Sequence, residues 1–211
     1  MLYNISILSV HLEDLIQYIC SYSPTVWALT GLHFNNNVNY RLANFFKSQY
    51  TIYFQHGSNK FGDICLAIAH QLPHQCISQF SHIENLISID IFNNSQRYIL
   101  VVLYIPPSEH LPTYTLNHLY ERNPNLIPVG DLNARHPQWY DVATNMNGSR
   151  LNEWINSLPN LKIYNDSQPR STRSQAIIDL IIAPHQISSE ISEVDQTMQV
   201  TDHYPVHWQI T

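Results

Sequence analysis

Charge is scarce in this chain. Asp, Glu, Lys and Arg make up 12% of 211 residues, and sixteen acids against ten bases leave a formal net charge of −6. That balance argues against a general polyanion binder, which presents a basic face. Contact with nucleic acid must then be local or assisted by metal ions. The twelve histidines add positive charge only below about pH 6.5. Cysteine is also sparse. Cys20, Cys65 and Cys76 are odd in number and lack C-x-x-C spacing, which argues against a disulfide framework and for a reducing interior. No apolar run reaches the ~18 residues of a membrane span, and no basic-plus-apolar leader is present, so no membrane partner is expected. Repeats and low-complexity linkers are absent, so residues 1–211 are read as a single domain.

The 44% hydrophobic content is enough to build a full core. His11 to Ser21 carries Leu12, Leu15, Ile16 and Ile19 at helical spacing, with Glu13 and Asp14 expected in the first turn. Ser23-Pro24 stops this helix, and Thr25 to Leu29 reads as a buried strand. Val38 to Tyr50 reads as a loop or short helix, with Phe45-Phe46 assigned to the core. Tyr50 to Gln55 and Asp63 to Ala69 are strand-like. Leu86 to Phe92 and Tyr98 to Tyr104 flank Asn93-Asn94-Ser95-Gln96 as a β-hairpin. Thr113 to Arg122 is a weaker helix. Asn125 to Val129 is a strand broken by Gly130. Ser149 to Leu158 is a helix, and Leu161 to Tyr164, Ile177 to Ala183 and Tyr204 to Ile210 are strands. Helix-strand passes separated by hairpins suggest two β-sheets packed face to face with helices outside, more than one doubly wound sheet.

The polar residues of interest sit at strand ends. Asp131 and Asn133 leave the GDLN strand two residues apart, which in extended chain puts both on one face. A carboxylate beside an amide can hold a metal, activate water or stabilise an oxyanion; a polar loop after a core strand has the same appearance. Asp179 lies inside the apolar run IIDLIIA, where an ionised carboxylate needs a partner. His203 is the obvious one, since an Asp on one imidazole nitrogen fixes the tautomer and stabilises the charged ring.

Six stretches in order resemble the endonuclease/exonuclease/phosphatase family, and most nearly the endonuclease domains of non-LTR retrotransposons, which look like apurinic endonucleases. They are Tyr3-Asn4-Ile5, Ser23-Pro24-Thr25-Val26-Trp27-Ala28-Leu29, Val102-Leu103-Tyr104-Ile105-Pro106-Pro107, Gly130-Asp131-Leu132-Asn133-Ala134-Arg135-His136-Pro137-Gln138-Trp139, Ile178-Asp179-Leu180-Ile181, and Thr201-Asp202-His203-Tyr204-Pro205-Val206. The resemblance implies a DNase I-like, four-layer α/β/β/α sandwich. It implies a Mg²⁺- (or Mn²⁺-) dependent nuclease that nicks one strand of a double-stranded DNA target and leaves a 3′-hydroxyl to prime reverse transcription. Asp131 would activate water, with Asn133, Asn4 and Tyr104 on the water and phosphate. His203, braced by Asp179, would donate to the phosphoryl oxygen. Asp202 and Asn4 would hold the metal, and Trp139 and His136 would brace their loop. No Y-x-D-D signature occurs, so a reverse-transcriptase domain belongs to the full-length parent, which would act in the nucleus.

Two departures stand out. The family's Q-E-T-H places its metal-binding Glu where Gly31 stands here. This implies a crippled domain, an acid such as Asp63 reaching in, or a deliberate change. The usual P-T-R reads Pro169-Arg170-Ser171-Thr172-Arg173. Thr172 or Ser171 would face the phosphate, and Arg170 and Arg173 would contact the DNA backbone. Three readings remain open: a nicking endonuclease, an impaired domain that still binds nucleic acid, or another phosphodiesterase on this scaffold acting on lipid or RNA.

Overall fold

The computed structural model describes residues 1–33, 35–59, 61–187, 189–198 and 200–210, with only the backbone described for 189–193. Strands β1 (Leu2–Asn4), β2 (Val26–Thr30), β3 (Tyr50–Gln55), β4 (Ile64–Ala69), β11 (Ser189–Val194) and β12 (Val206–Ile210) form one sheet in the order β11-β12-β1-β2-β4-β3. Strands β5 (His74–Cys76), β6 (Leu86–Asn93), β7 (Gln96–Tyr104), β8 (Leu126–Asp131), β9 (Leu161–Ile163) and β10 (Asp179–Pro184) form the other, in the order β5-β6-β7-β8-β10-β9. Helices α1 (Leu8–Tyr22) and α2 (Asn36–Phe46) cover the first sheet, and α3 (Thr113–Arg122) and α4 (Met146–Asn156) cover the second. This is the expected four-layer sandwich.

The period-2 alternation of strand side chains explains why these strands read as unbroken apolar runs. In β4, Ile64, Leu66 and Ile68 enter the layer between the sheets, while Cys65, Ala67 and Ala69 face α1 and α2. In β7, Leu100, Val102 and Tyr104 point inward, while Ile99, Val101 and Leu103 meet Leu116, Leu119, Leu151 and Trp154 beneath α3 and α4. Both faces of these central strands are dry. The hairpin between β6 and β7 turns at Asn94 and Ser95, both at positive φ (47° and 65°), the geometry that two-residue hairpins favour. Among the described residues, no helix is long and apolar enough to cross a membrane.

Several details differ from expectation. Helix α1 starts at Leu8, so Glu13 and Asp14 fall in its second turn. Asn35 caps α2 by accepting from the N–H groups of Asn37 and Val38, which decides helix over loop. Of the aromatic pair, Phe46 is core but Phe45 is 53% exposed, because consecutive residues diverge around a helix. Strands β5 and β11 are edge strands too short or too polar to show a pattern. Gly130 does not break its strand. β8 continues through it to Asp131, and a Cβ there would lie 1.8 Å from the Leu103 carbonyl oxygen. The residue is glycine because β7 comes too close for a side chain. The turn falls instead at Asn133, at φ 44°.

Candidate active site

Strand ends from both sheets converge at one rim. Asp131, the last residue of β8, pairs in register with Asp179, the first of β10, and with Tyr104, the last of β7. Across the gap between sheets, Asn4 ends β1 and donates its Nδ2 to Asp131 Oδ2 at 2.9 Å. The Asn4 Oδ1 accepts from the Ser6 N–H at 3.0 Å, which fixes the amide's orientation. His203 precedes β12 and is held by an isolated bridge to Ser171 and by its own N–H donating to Thr201 Oγ1 at 3.0 Å. Its Nδ1 lies 2.8 Å from Asp179 Oδ2. Asp131, Asp179 and His203 therefore share one spot, each placing a possible ligand atom within 4.8 Å of the others.

Burial sets the charges here. Asp131 and Asp179 are 3% and 1% exposed. Desolvation, and then the Asp179 charge, push the Asp131 carboxyl up to about 7, against opposing pulls from His203, the Asn133 N–H and Asn4. Burial pulls His203 down, but the Asp179 charge and hydrogen bond, with Asp131 and Asp202, outweigh it and raise the imidazole to about 9. Burial, with Asp131, Glu109 and Asp179 nearby, raises the Tyr104 hydroxyl to about 12, so it keeps its proton. The site thus holds a carboxylate whose proton affinity is raised beside an imidazole whose charge is favoured, the pairing that a base and a charged phosphate donor require.

The other expected site residues lie around this group in different ways. Asn133 does not share a face with the Asp131 carboxylate. Its backbone turns, its N–H donates to Asp131 Oδ1 at 3.1 Å, and its Nδ2 donates to the Ile105 carbonyl at 2.8 Å. It shapes the loop around the base. Asp202 is near but outside the cluster: Ser6 Oγ donates to its Oδ1 at 2.6 Å and Arg173 Nη1 lies 3.2 Å from its Oδ2. Thr172 is exposed, and its N–H donates to the Asp202 carbonyl at 2.9 Å. Arg170 cannot contact DNA as expected: its side chain is 0% exposed and pairs with Asp166 Oδ1 at 2.7 Å. The Trp139 indole donates to the Ala134 carbonyl, and His136 Nδ1 accepts from the Gln138 N–H, both within the loop after β8. Asp63 accepts from the Gly57 N–H.

Two residues without a sequence signature of their own also build the site. Ser6 ties Asn4 to Asp202. Its signal was its place two residues after Asn4. Asp141 is buried and accepts from Arg135 Nε and from the Ile177 N–H at 2.9 Å, which joins the loop after β8 to the start of β10. No local pattern marks it.

Gly31 adjoins Asn4. It sits at φ +70°, and a Cβ would stand 2.4 Å from Asn4 Oδ1. A glutamate here is strained and displaces the amide that holds Asp131. Gly31→Glu is therefore expected to lower stability by about 1–3 kcal/mol and to leave nicking no faster than wild type. Thermal melts and plasmid nicking on the purified variant check both.

The family model described as endonuclease-reverse transcriptase matches residues 98–207, just over half the chain. The chain belongs to that family. No curated protein matches it by sequence. Among solved structures, the fold is similar to the endonuclease domain of TRAS1, a telomere-specific non-LTR retrotransposon (TM-score 0.76, 18% identity, 99% of this chain and 95% of that one). It is also similar to an AP endonuclease from Leishmania major (TM-score 0.74, 13% identity, 100% and 86%). A third is the Neisseria 3′ phosphatase NExo, solved with a product DNA hairpin (TM-score 0.66, 12% identity, 100% and 98%). At these identities the likeness is one of fold. This member of the endonuclease-reverse transcriptase family thus has the DNase I-like architecture its motifs resembled.

Proposed function

We propose that this chain is a DNA endonuclease that hydrolyses one phosphodiester in one strand of a double-stranded target and leaves a 3′-hydroxyl. The observation that carries the reading is Asp131 beside the Asp179–His203 pair at the meeting of two sheet rims. Ionised Asp131 takes a proton from the attacking water. The water oxygen bonds to phosphorus, the P–O3′ bond breaks, and the 3′ oxygen takes a proton from solvent. The His203 Nε2–H donates to a non-bridging oxygen as charge develops there. Asp179 keeps His203 charged and aimed, Asn4 holds Asp131, and the Tyr104 hydroxyl donates to the phosphate. In the parent polypeptide, a reverse-transcriptase domain would use the 3′-hydroxyl in the nucleus.

A resident Mg²⁺ fits these residues poorly. That ion needs several oxygen ligands in near-octahedral array. Both Asp131 oxygens accept hydrogen bonds and Asp179 Oδ2 faces His203, which leaves Asp179 Oδ1 as the one oxygen of this pair without a partner among the described residues. Asp202 is spent on Ser6 and Arg173, and Gly31 brings no ligand. No step here is assigned to a metal.

A second reading, a domain that binds DNA without cutting it, is favoured by Gly31 alone. Supercoiled plasmid separates the two. Conversion to the open circle by wild type, and not by Asp131→Ala, supports the nuclease. DNA retention without open circle, with and without Mg²⁺ or Mn²⁺, supports the second reading.

A further inference from the structure

The carboxylate expected to hold a divalent ion already holds something else. Asp202 Oδ1 accepts from the Ser6 hydroxyl at 2.6 Å, and Asp202 Oδ2 faces Arg173 Nη1 at 3.2 Å. The neighbouring oxygen of Asn4 accepts from the Ser6 N–H, and Gly31 offers none. A divalent cation placed here would meet one engaged carboxylate and a guanidinium of its own sign.

The Arg173 side chain is 79% exposed. An exposed ion pair is weak by itself, but the backbone supplies the missing order. Ser171 bridges to His203, the Thr172 N–H donates to the Asp202 carbonyl at 2.9 Å, and the Arg173 N–H donates to Ser171 Oγ at 3.1 Å. The loop 171–173 is thus laced to 202–203, and Arg173 pairs with the carboxylate next in sequence to His203. A guanidinium has five N–H donors in a planar fork that matches phosphate oxygens. One nitrogen is directed to Asp202, which leaves donors for a ligand.

We infer that Arg173, steadied by Asp202, is the positive group that, beside His203, this site offers to a phosphodiester in place of a divalent metal ion. This rests on the nuclease reading for its ligand class, a nucleic-acid phosphodiester. Asp202 is then a positioning residue for the arginine, and DNA binding here does not depend on added metal.

Two titrations on the full chain test this. In the first, Mn²⁺ is titrated without DNA and followed by its electron paramagnetic resonance signal. Wild type shows no Mn²⁺ site that depends on Asp202, Arg173→Ala gains one, and adding Asp202→Asn removes it. In the second, a short labelled duplex is titrated by fluorescence anisotropy in EDTA and in Mg²⁺. Wild-type affinity agrees between the two buffers within about twofold, and Arg173→Ala weakens it about tenfold in EDTA, with Arg173→Lys recovering only part. A wild-type Mn²⁺ site abolished by Asp202→Asn overturns the inference. So does duplex binding that EDTA abolishes. The manganese titration uses no DNA, so it decides what occupies Asp202 even if the nuclease reading fails.

Discussion

His203→Ala is expected to lower the rate of plasmid nicking by about a thousandfold, and Asp131→Ala by a similar factor. The two losses would have different origins. On the proposed mechanism His203 supplies the charge that meets the developing oxyanion, and removing it leaves the buried Asp179, 1% exposed, without its partner. Asp131 is the one carboxylate here that Asn4 and the Asn133 N–H hold in place while its proton is shared near neutral pH. Because the proposed base and charged donor would serve the same transition state, the double variant is expected to fall little below either single one. Initial rates of open-circle formation at fixed pH measure all three. Rates within tenfold of wild type in either single variant would remove that residue from the chemistry.

Arg170→Ala is the largest expected loss of stability, about 3–5 kcal/mol. At the size of this chain that corresponds to a fall of about 10 °C in melting temperature. The Arg170 side chain is fully buried, and it bonds to Asp166 through one nitrogen. Its Nε and Nη2 have no hydrogen-bond partner among the described residues, and neither does Asp179 Oδ1. Burial pulls the Arg170 pKa down, and the charges of Asp166 and Asp179 push back. The guanidinium therefore offsets the half-buried Asp166 and adds to the positive field at buried Asp179. Removing it takes the ion-pair partner from Asp166 and leaves His203 as the cation facing Asp179. Arg170→Met refills the volume without the charge, so a similar fall there assigns the loss to electrostatics. Surface Arg173→Ala, by contrast, stays within about 0.5 kcal/mol of wild type in a thermal melt.

The two arginines also mark where the sequence stops being informative. Both follow Pro169 within four residues, in a loop with no periodicity. Which one faces water is decided by where the chain passes between β9 and β10, and nothing local encodes that. The long central strands were legible because two dry faces demand unbroken apolar runs, and Asp179 was legible because it interrupts one. Asp131 and His203 were found by their order along the chain, although the register that pairs Asp131 with Asp179 is a tertiary fact. The strand's period of two fails to place Asn133 because the backbone turns left-handed there. Gly130 resembles a turn signal in the sequence, but the reason for it is the Leu103 carbonyl on the neighbouring strand. Ser6 and Asp141 act through hydrogen bonds to distant segments, and serines and aspartates of that kind look the same in any loop.

The pH dependence of nicking bears most directly on the claim that Asp131 acts as base and His203 as the charged donor to the phosphate. Asp131 must lose its proton, so the rate rises as pH climbs through about 7. His203 must keep its proton, so the rate falls again above about 9. The result predicted is a bell with its top between those values, measured as initial nicking rates from pH 5 to pH 10 in buffers of constant ionic strength. A rate that is flat across that range, or one that keeps rising beyond pH 9, would contradict it.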